Sequence, residues 1–484
     1  MTASLRRVRP PIVLLTCCTA LFISSMNAAL INVALPSIRA DLGASAAQLQ
    51  WLVDAYTLVL GTLLLASGSL ADRFGRKKAF ILGLGLFAVT SSFCALAPSV
   101  LWLIVGRGLQ AVGGVLLTPV ALSIISATYT DPAQRARAIG VWGAVIGISL
   151  GSGPLLGGFL TESFGWEATF WMNVPVCTAA LVATVVFVPE SRAARPRRLD
   201  PAGQLLIMAF LGGTVGALIE GPERGWDSPL VLGLMVLAML GLIAFIAVER
   251  RVTDPVVDIR FFGLAPFSAA VIIAVAVSTA QGSFLFLFSL LLQGPFGYTP
   301  LGTGALLLPL AVALAVSSPL AGRLIASRGT RPALVTGGAC VAASSLLLTF
   351  LRTDASTWYF VVVLMIAGAG LGFINPPIST TAVEGLPPSQ SGAASGIAGA
   401  SRQVGVALGV ALAGGEALLA QQEYSGSRVF VFNDFHVAPL GVLQGRIGVG
   451  AAFKYLYGIG AGVVVAVFHA GLDLMTAALF CTEG

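Results

Sequence analysis

Charge is what this chain has least of. Only 10% of its 484 residues are Asp, Glu, Lys or Arg, against 57% hydrophobic ones, and its mean hydropathy of +0.92 is far from that of soluble domains. The lipid bilayer is therefore the expected solvent. Histidine is nearly missing, with His436 and His469 alone, and the cysteines at 17, 18, 94, 177, 340 and 481 form no CxxC pair and no cluster with histidine. No metal site is expected from such spacing, and no cofactor. Lysine occurs at 77, 78 and 454 only, never in a GxxxxGK[ST] phosphate loop, which excludes ATP hydrolysis by this chain. The glycines at 151, 153 and 157 imitate a dinucleotide fingerprint, but no soluble strand precedes them. The net charge is +6, yet the cations fall in short clusters with no basic stripe interleaved with aromatics, so nucleic acid is not an expected partner. Clustered His or Cys and paired carboxylates are absent as well, which argues against an enzyme.

Long apolar runs are what the chain has in excess. They occur at 12–35, 49–71, 79–97, 100–127, 138–161, 167–188, 202–220, 229–248, 265–293, 301–325, 333–351, 357–382, 392–418 and 453–480, each about the 20 residues that cross a bilayer as a helix. An all-α polytopic membrane protein of fourteen transmembrane helices is expected, its termini on one side. Arg6, Arg7 and Arg9 precede the first run, which is too long for a signal segment and reads as an uncleaved helix. Most of the 27 cations cluster at 6–9, 73–78, 135–137, 192–198, 250–260 and 323–331, in the N-terminus and alternate loops. By the positive-inside rule these loops and both termini are cytoplasmic, in a multi-pass protein of the cell membrane.

The densest cluster, residues 68 to 78, sets Asp72, Arg73, Arg76, Lys77 and Lys78 between two apolar runs. Such charge cannot sit in hydrocarbon, so this is a tight turn, with Gly68 and Gly75 permitting close approach. A degenerate copy returns 254 positions later at residues 322 to 331, again after a second helix. Residues 1–190 and 264–484 then read as two six-helix halves, and 191–263 as an inserted helix pair with flanking cytoplasmic loops. Parallel halves related by an axis along the membrane normal are a transporter architecture, with the substrate site between them near the midplane.

From about residue 20 to 415, these features resemble the major facilitator superfamily, and within it the fourteen-span drug/proton antiporters. Residues 68–78 match the family's loop between helices two and three; Arg107, Gln110, Gly113 and Gly114 resemble the helix-four motif, with Ala111 where glycine is usual. Gly153, Pro154, Gly157 and Gly158 look like the antiporter motif of helix five, residues 166–175 like the helix-six motif with Glu167 for arginine, and 199–203 like the start of the inserted pair. The resemblance implies a proton-coupled antiporter that exports an amphiphilic small molecule, a drug or a self-made antibiotic, by alternating access. It also implies a conformational latch made of Gly68, Asp72, Arg73, Gly75 and Arg76, in which Asp72 meets a helix N-terminus or a cation of its own bundle. The copy has Ala326 in place of Asp72, so the latch belongs to the first half. Residues 26–36 match the first-helix motif except for Asn27, where an aspartate is common, and residues 419–450 form a longer polar outer loop.

Proton coupling needs a titratable group inside the spans, where ionisable residues are costly and functional by default. Asp54 lies about five residues into the second span and Arg107 about eight into the fourth, similar depths at 1.5 Å per residue, so the two are candidates for an ion pair that protonation of Asp54 would break. Asp54 has a second reading as an interfacial group, and Arg107 as a tether to backbone carbonyls. Arg402, near the middle of the thirteenth span, either meets an anionic substrate group or braces its half. Glu384, Glu416, His436, His469 and Asp473 read as interfacial or structural. With Asn27 neutral, the midspan charges Asp54, Arg107 and Arg402 suit neutral, zwitterionic or anionic substrates better than dications, and Asn27, Asn32, Gln110 and Arg402 are the candidate cavity residues. The glycines at 143, 147 and 151, and those at 392, 396, 405 and 409, offer low-friction faces on which halves could rock, or ordinary small-residue packing. A proton-independent facilitator or importer is the alternative function, and a membrane-embedded enzyme or a channel a further one.

Overall fold

The computed structural model describes residues 9–192, 200–252, 255–294, 296–350, 355–384, 386 and 390–423, with no side-chain account of 415–423. The expected span 453–480, the outer loop beyond 423 and the residues His436, Lys454, His469 and Asp473 lie outside them, as does the side chain of Glu416. Among the described residues all regular structure is helical. The chain runs α1 (Pro10–Leu42), α2 (Ala46–Phe74), α3 (Arg76–Ala95), α4 (Val100–Val115), α5 (Thr118–Thr128), α6 (Pro132–Phe164), α7 (Ala168–Trp171) and α8 (Asn173–Phe187). It continues with α9 (Pro201–Arg224), α10 (Pro229–Glu249), α11 (Ala265–Gln293), α12 (Pro300–Leu306), α13 (Leu308–Arg328), α14 (Thr330–Thr349), α15 (Thr357–Thr381) and α16 (Ser391–Glu423).

Every expected run up to 392–418 coincides with helix, because the bilayer fixes the length of an apolar run and backbone groups in hydrocarbon must bond within their own segment. Eleven helical stretches among the described residues are long and apolar enough to cross a membrane, twelve with α6, which bends by 43° between Ala133–Ser149 and Gly151–Phe164. Beside them α2 is a further helix of 29 residues. The full count of fourteen is not reached, since the last run is outside the described residues.

Local chemistry sets the helix ends. Ser45 and Gln48 close a capping box at the start of α2, each side chain accepting from the other's backbone N–H, after a left-handed Gly43 at φ 64° ends α1. Prolines open α5, α6, α9, α10 and α12 within their first turn, where a missing N–H costs nothing. Two turns are a single residue long. Gly75 (φ 108°) joins α2 to α3 and Gly329 (φ 78°) joins α13 to α14, and they stand 254 positions apart, the offset of the sequence repeat.

Helices α1 to α8 pack on one another, as do α11 to α16, and the two groups meet along three lines. Helix α1 meets α11 and α12, α2 meets α16, and α6 meets α12 and α13. Counted by span, the second helix of one group faces the fifth of the other, and the fifth faces the second. A two-fold relation between similar groups produces that exchange. The inserted pair lies outside this arrangement: α9 rests on both α2 and α16, covering their seam, while α10 packs on α9 and leaves most of its surface to the surroundings.

Contact between the groups is tightest toward the end of the molecule that carries Gly43. There a side chain on Gly158 of α6 would collide with the Pro300 carbonyl, and one on Gly304 of α12 with the Pro154 carbonyl. Toward the Gly75 end, Gly143 and Gly147 of α6 have nothing within 4 Å of a would-be Cβ, and Val141 and Ile148 are exposed. Gly153 and Gly157 pack instead on α1 at Met26, Ala29 and Leu30, and Gly405 and Gly409 pack on α11. Of the expected small-residue positions, Gly405 and Gly409 thus hold helices together inside the second group, whereas Gly151 of α6 meets α13 of the other group, its would-be Cβ 3.0 Å from Ala311 Cβ.

Candidate functional site

A polar cluster lies inside the first group of helices. Arg107, in α4, is fully buried; its Nη1 donates to Gln110 Oε1 (2.8 Å) and its Nε to the Leu52 carbonyl (3.2 Å). Its guanidinium lies over the Tyr56 ring, 4.3 Å from the centroid, an arrangement favourable to a desolvated cation. Gln110 Oε1 also accepts from Asn27 Nδ2 (2.9 Å), and Gln110 Nε2 donates to Ser91 Oγ (2.8 Å). Asn173 Nδ2 reaches Asn27 Oδ1 at 3.4 Å, and Tyr56 donates to the Ser24 carbonyl at 3.2 Å. Arg107 Nη2 and Asn173 Oδ1 are left over, buried without hydrogen-bond partners. No carboxylate pairs with Arg107 among the described residues. The cluster is a cation held by neutral amides, hydroxyls and one aromatic face.

Of the expected cavity residues, Asn27 and Gln110 enter this cluster. Asn32 is buried one turn and more along α1 and donates only to the Ala28 carbonyl (3.4 Å). Arg402, on α16, is half-buried and extends to Ser379 Oγ of α15 at 3.5 Å. Arg402 therefore lies within the second group of helices and is not brought to Asn27.

Asp54 does not pair with Arg107. Both are buried and at matched depth, but depth was only half of the problem. Leu52 and Tyr56, the α2 residues that meet Arg107, are each two positions from Asp54, which is about 200° of helix rotation. Asp54 thus faces the other way, on the stripe between Gln50, which bonds α16, and Gly61, whose would-be Cβ lies 2.9 Å from Gln403 Cβ. Asp54 Oδ1 accepts from Thr57 Oγ1 at 3.4 Å, and Oδ2 is buried with no hydrogen-bond partner. The burial also replaces the interfacial reading of Asp54, and helix rotation puts this carboxyl on the side of α2 that meets α16.

The charged turn is bound to its own group. Asp72 Oδ1 accepts from Arg76 Nη2 (2.9 Å) and Nε (3.0 Å), and Arg76 Nη1 reaches the Ser123 carbonyl (3.4 Å). Arg73 is exposed, its guanidinium 5.9 Å from the Phe74 ring centroid, and Gly68 lies within α2. Glu190, after α8, completes the turn: its Oε1 accepts from Lys77 N (3.1 Å) and lies where a Cβ on Gly75 would stand. A carboxylate there meets the positive end of α3. The Arg76 N–H also donates to the Ser191 carbonyl (2.9 Å).

Gln50, Tyr56, Ser91, Asn173 and Glu190 were not singled out from sequence. Asn173 had a visible signal, as the one amide in the apolar stretch 168–188, and Glu190 as an acid beside the cation-rich loop. Gln50 and Tyr56 had none beyond polarity near a helix start.

A bundle of membrane-length helices in two similarly connected groups, with polar side chains buried at its centre, defines a multi-pass membrane transporter. The chain belongs to the Major Facilitator Superfamily, whose family model matches residues 17–410. It is 35% identical over 394 residues to the "Multidrug resistance protein Stp" of Mycobacterium tuberculosis (strain CDC 1551 / Oshkosh), a match that covers 81% of this chain and 73% of the relative. It is 34% identical over 413 residues to the "Tetracenomycin C resistance and export protein" of Streptomyces glaucescens, covering 85% and 77%. Among solved structures, the fold is similar to that of a bacterial homologue of the human lysosomal transporter Spinster in an inward-facing and unoccupied conformation, with a TM-score of 0.67 at 20% identity, covering 97% of both chains.

Proposed function

We propose that this protein is a proton-coupled antiporter that exports an antibiotic-like small molecule across the cell membrane by alternating access between two six-helix halves, 1–190 and 264–484. The naming of its relatives for multidrug resistance and for resistance and export supports the direction and the substrate class. With the cation-rich loops cytoplasmic, both termini are inside, the Gly43 end faces out, and the observed packing is closed outside and looser inside.

One observation carries the coupling: Asp54 is buried on the side of α2 that meets α16, a seam that must part when the outer side opens. Closing α16 over an ionised carboxylate with an oxygen unpartnered would strand a charge, at a cost of several kcal/mol, whereas a protonated carboxyl can be enclosed. Proton uptake from outside therefore permits closure and return to the inward-open form. Loss of that proton to the cytoplasm resets the cycle. The Arg107 cluster, with its unmatched positive charge, favours neutral, zwitterionic or anionic substrates over dications.

Proteoliposomes under an imposed pH gradient provide the test. Substrate movement should follow the gradient and lose that dependence in Asp54→Asn. Gradient-driven transport that survives the substitution would refute the assignment. Movement that equilibrates without any gradient would instead establish a facilitator, a reading that the neutral Asn27 favours.

A further inference from the structure

Among the described residues, one amide side chain hydrogen-bonds across the seam over Asp54. Gln50, one turn before Asp54 on the same stripe of α2, is fully buried and donates from Nε2 to two consecutive carbonyls of α16, Val410 (2.8 Å) and Ala411 (2.7 Å). The amide occupies the space of a missing side chain, since any Cβ on Gly414 would collide with it. Its own Oε1 is buried without a partner, a cost of about 1–3 kcal/mol that an apolar side chain packed on Gly414 would avoid. A helix contact needed only for cohesion gains nothing from this residue. A contact that must open in each cycle gains a great deal, because both groups of a hydrogen bond can be rehydrated when the seam parts.

We infer that Gln50 is the outer closure of the proton site, a peg seated on Gly414 that decides when external water reaches Asp54. The inference rests on the reading of Asp54 as the proton carrier. Two more polar side chains bridge the same groups of helices toward the same end: Gln293 Nε2 donates to the Val33 carbonyl (2.9 Å), and Glu162 Oε2 accepts from Leu301 N (3.0 Å). Neither lies on the Asp54 stripe. Several charged side chains on the helices packed against α2 have other partners: Arg107 at Gln110 and Tyr56, Arg402 at Ser379, Arg76 at Asp72, Asp41 at Trp166, Glu223 at Ser45, and Glu220 at Trp51 and Arg224. Gln50 lies between Asp54 and the Gly43 end of the same stripe of α2.

The test uses full-length protein in lipid vesicles, with hydrogen exchange read over residues 46–58 and proton flux measured under an acid-outside gradient without substrate. Gln50→Ala should raise exchange in that segment and proton leak by about tenfold, the equivalent of one to two net hydrogen bonds. Gly414→Ala, which keeps the glutamine but removes its seat, should do the same, and residues 76–95 should keep their protection in both as a sign of intact folding. Adding Asp54→Asn should abolish the extra leak and leave the faster exchange. Unchanged exchange in both single variants would overturn the peg. Faster exchange with a leak indifferent to Asp54→Asn would instead overturn Asp54 as the carrier, and with it Gln50 as guardian of a proton site.

Discussion

The absence of a carboxylate at position 27 has its largest consequence one hydrogen bond away, at Gln110. Gln110 Oε1 accepts from Asn27 and from Arg107 at once, so the amide at 27 leaves the guanidinium charge intact, where an aspartate would offset it. At an effective dielectric near 20, a unit charge placed that close is worth on the order of 3 kcal/mol. Asn27→Asp should therefore shift the substrate balance toward cations, improving transport of dicationic dyes relative to carboxylates by about tenfold or more; competition between the two probe classes in proteoliposomes measures it. Unchanged preference would place substrate recognition elsewhere, with Arg402 the next residue to examine. Asp54 and Arg107 show what residue-level reading of a sequence can and cannot reach. Depth along a helix follows from counting residues, which put Asp54 and Arg107 at similar depths; their burial decides between the readings that counting left open. Azimuth depends on which neighbour each face meets, and that is decided by helices hundreds of positions away.

At the scale of elements, the crossing of α6 and α12 is built from glycine and proline on both sides. Gly158 lies against the Pro300 carbonyl and Gly304 against the Pro154 carbonyl, a reciprocal fit that lets two backbones touch. Gly158→Val should hold the crossing apart and bias the protein against the outer-closed form, with transport reduced by about tenfold or more at normal membrane levels. Gly108→Ala in α4, where a Cβ meets nothing within 4 Å, should leave transport near wild type and slightly favour the helix. Comparing the two variants in one transport assay separates a crossing that must close from glycine that only fills helix. The helices themselves were legible because twenty apolar residues admit few other structures in lipid. Three interruptions were not: the breaks between α4 and α5, between α7 and α8, and between α12 and α13 fall inside continuous apolar runs that hydropathy reads as one. The motif of helix five was legible as a motif, yet its residues divide. Gly153 and Gly157 bind α1, and only Pro154 and Gly158 meet the other group.

For the whole molecule, both copies of the repeat at residues 68–78 and 322–331 close on a one-residue glycine turn, at Gly75 and at Gly329. The two turns differ where it matters for a cycle. In the first, Asp72 holds Arg76 and Glu190 seats Lys77, so the loop is closed upon its own half; the second has Ala326 at the position of Asp72. In the observed arrangement Asp72 is thus bound to a neighbour four residues away, and an access change that brings the opposite group of helices close would offer it a second partner. Its present ion pair is part-exposed, with side-chain accessibilities of 19% and 32%, and pairs of that kind contribute about 0–1 kcal/mol. Asp72→Asn should accordingly cost little stability and leave insertion and orientation unchanged, because the cations at 73 and 76–78 remain. A severe loss of transport in a variant so little destabilised must then come from the balance between access states. The check is a thermal unfolding midpoint within a few degrees of wild type together with exchange over residues 46–58 that reports a shifted resting state. Full transport by Asp72→Asn would reduce this cluster to its topological role.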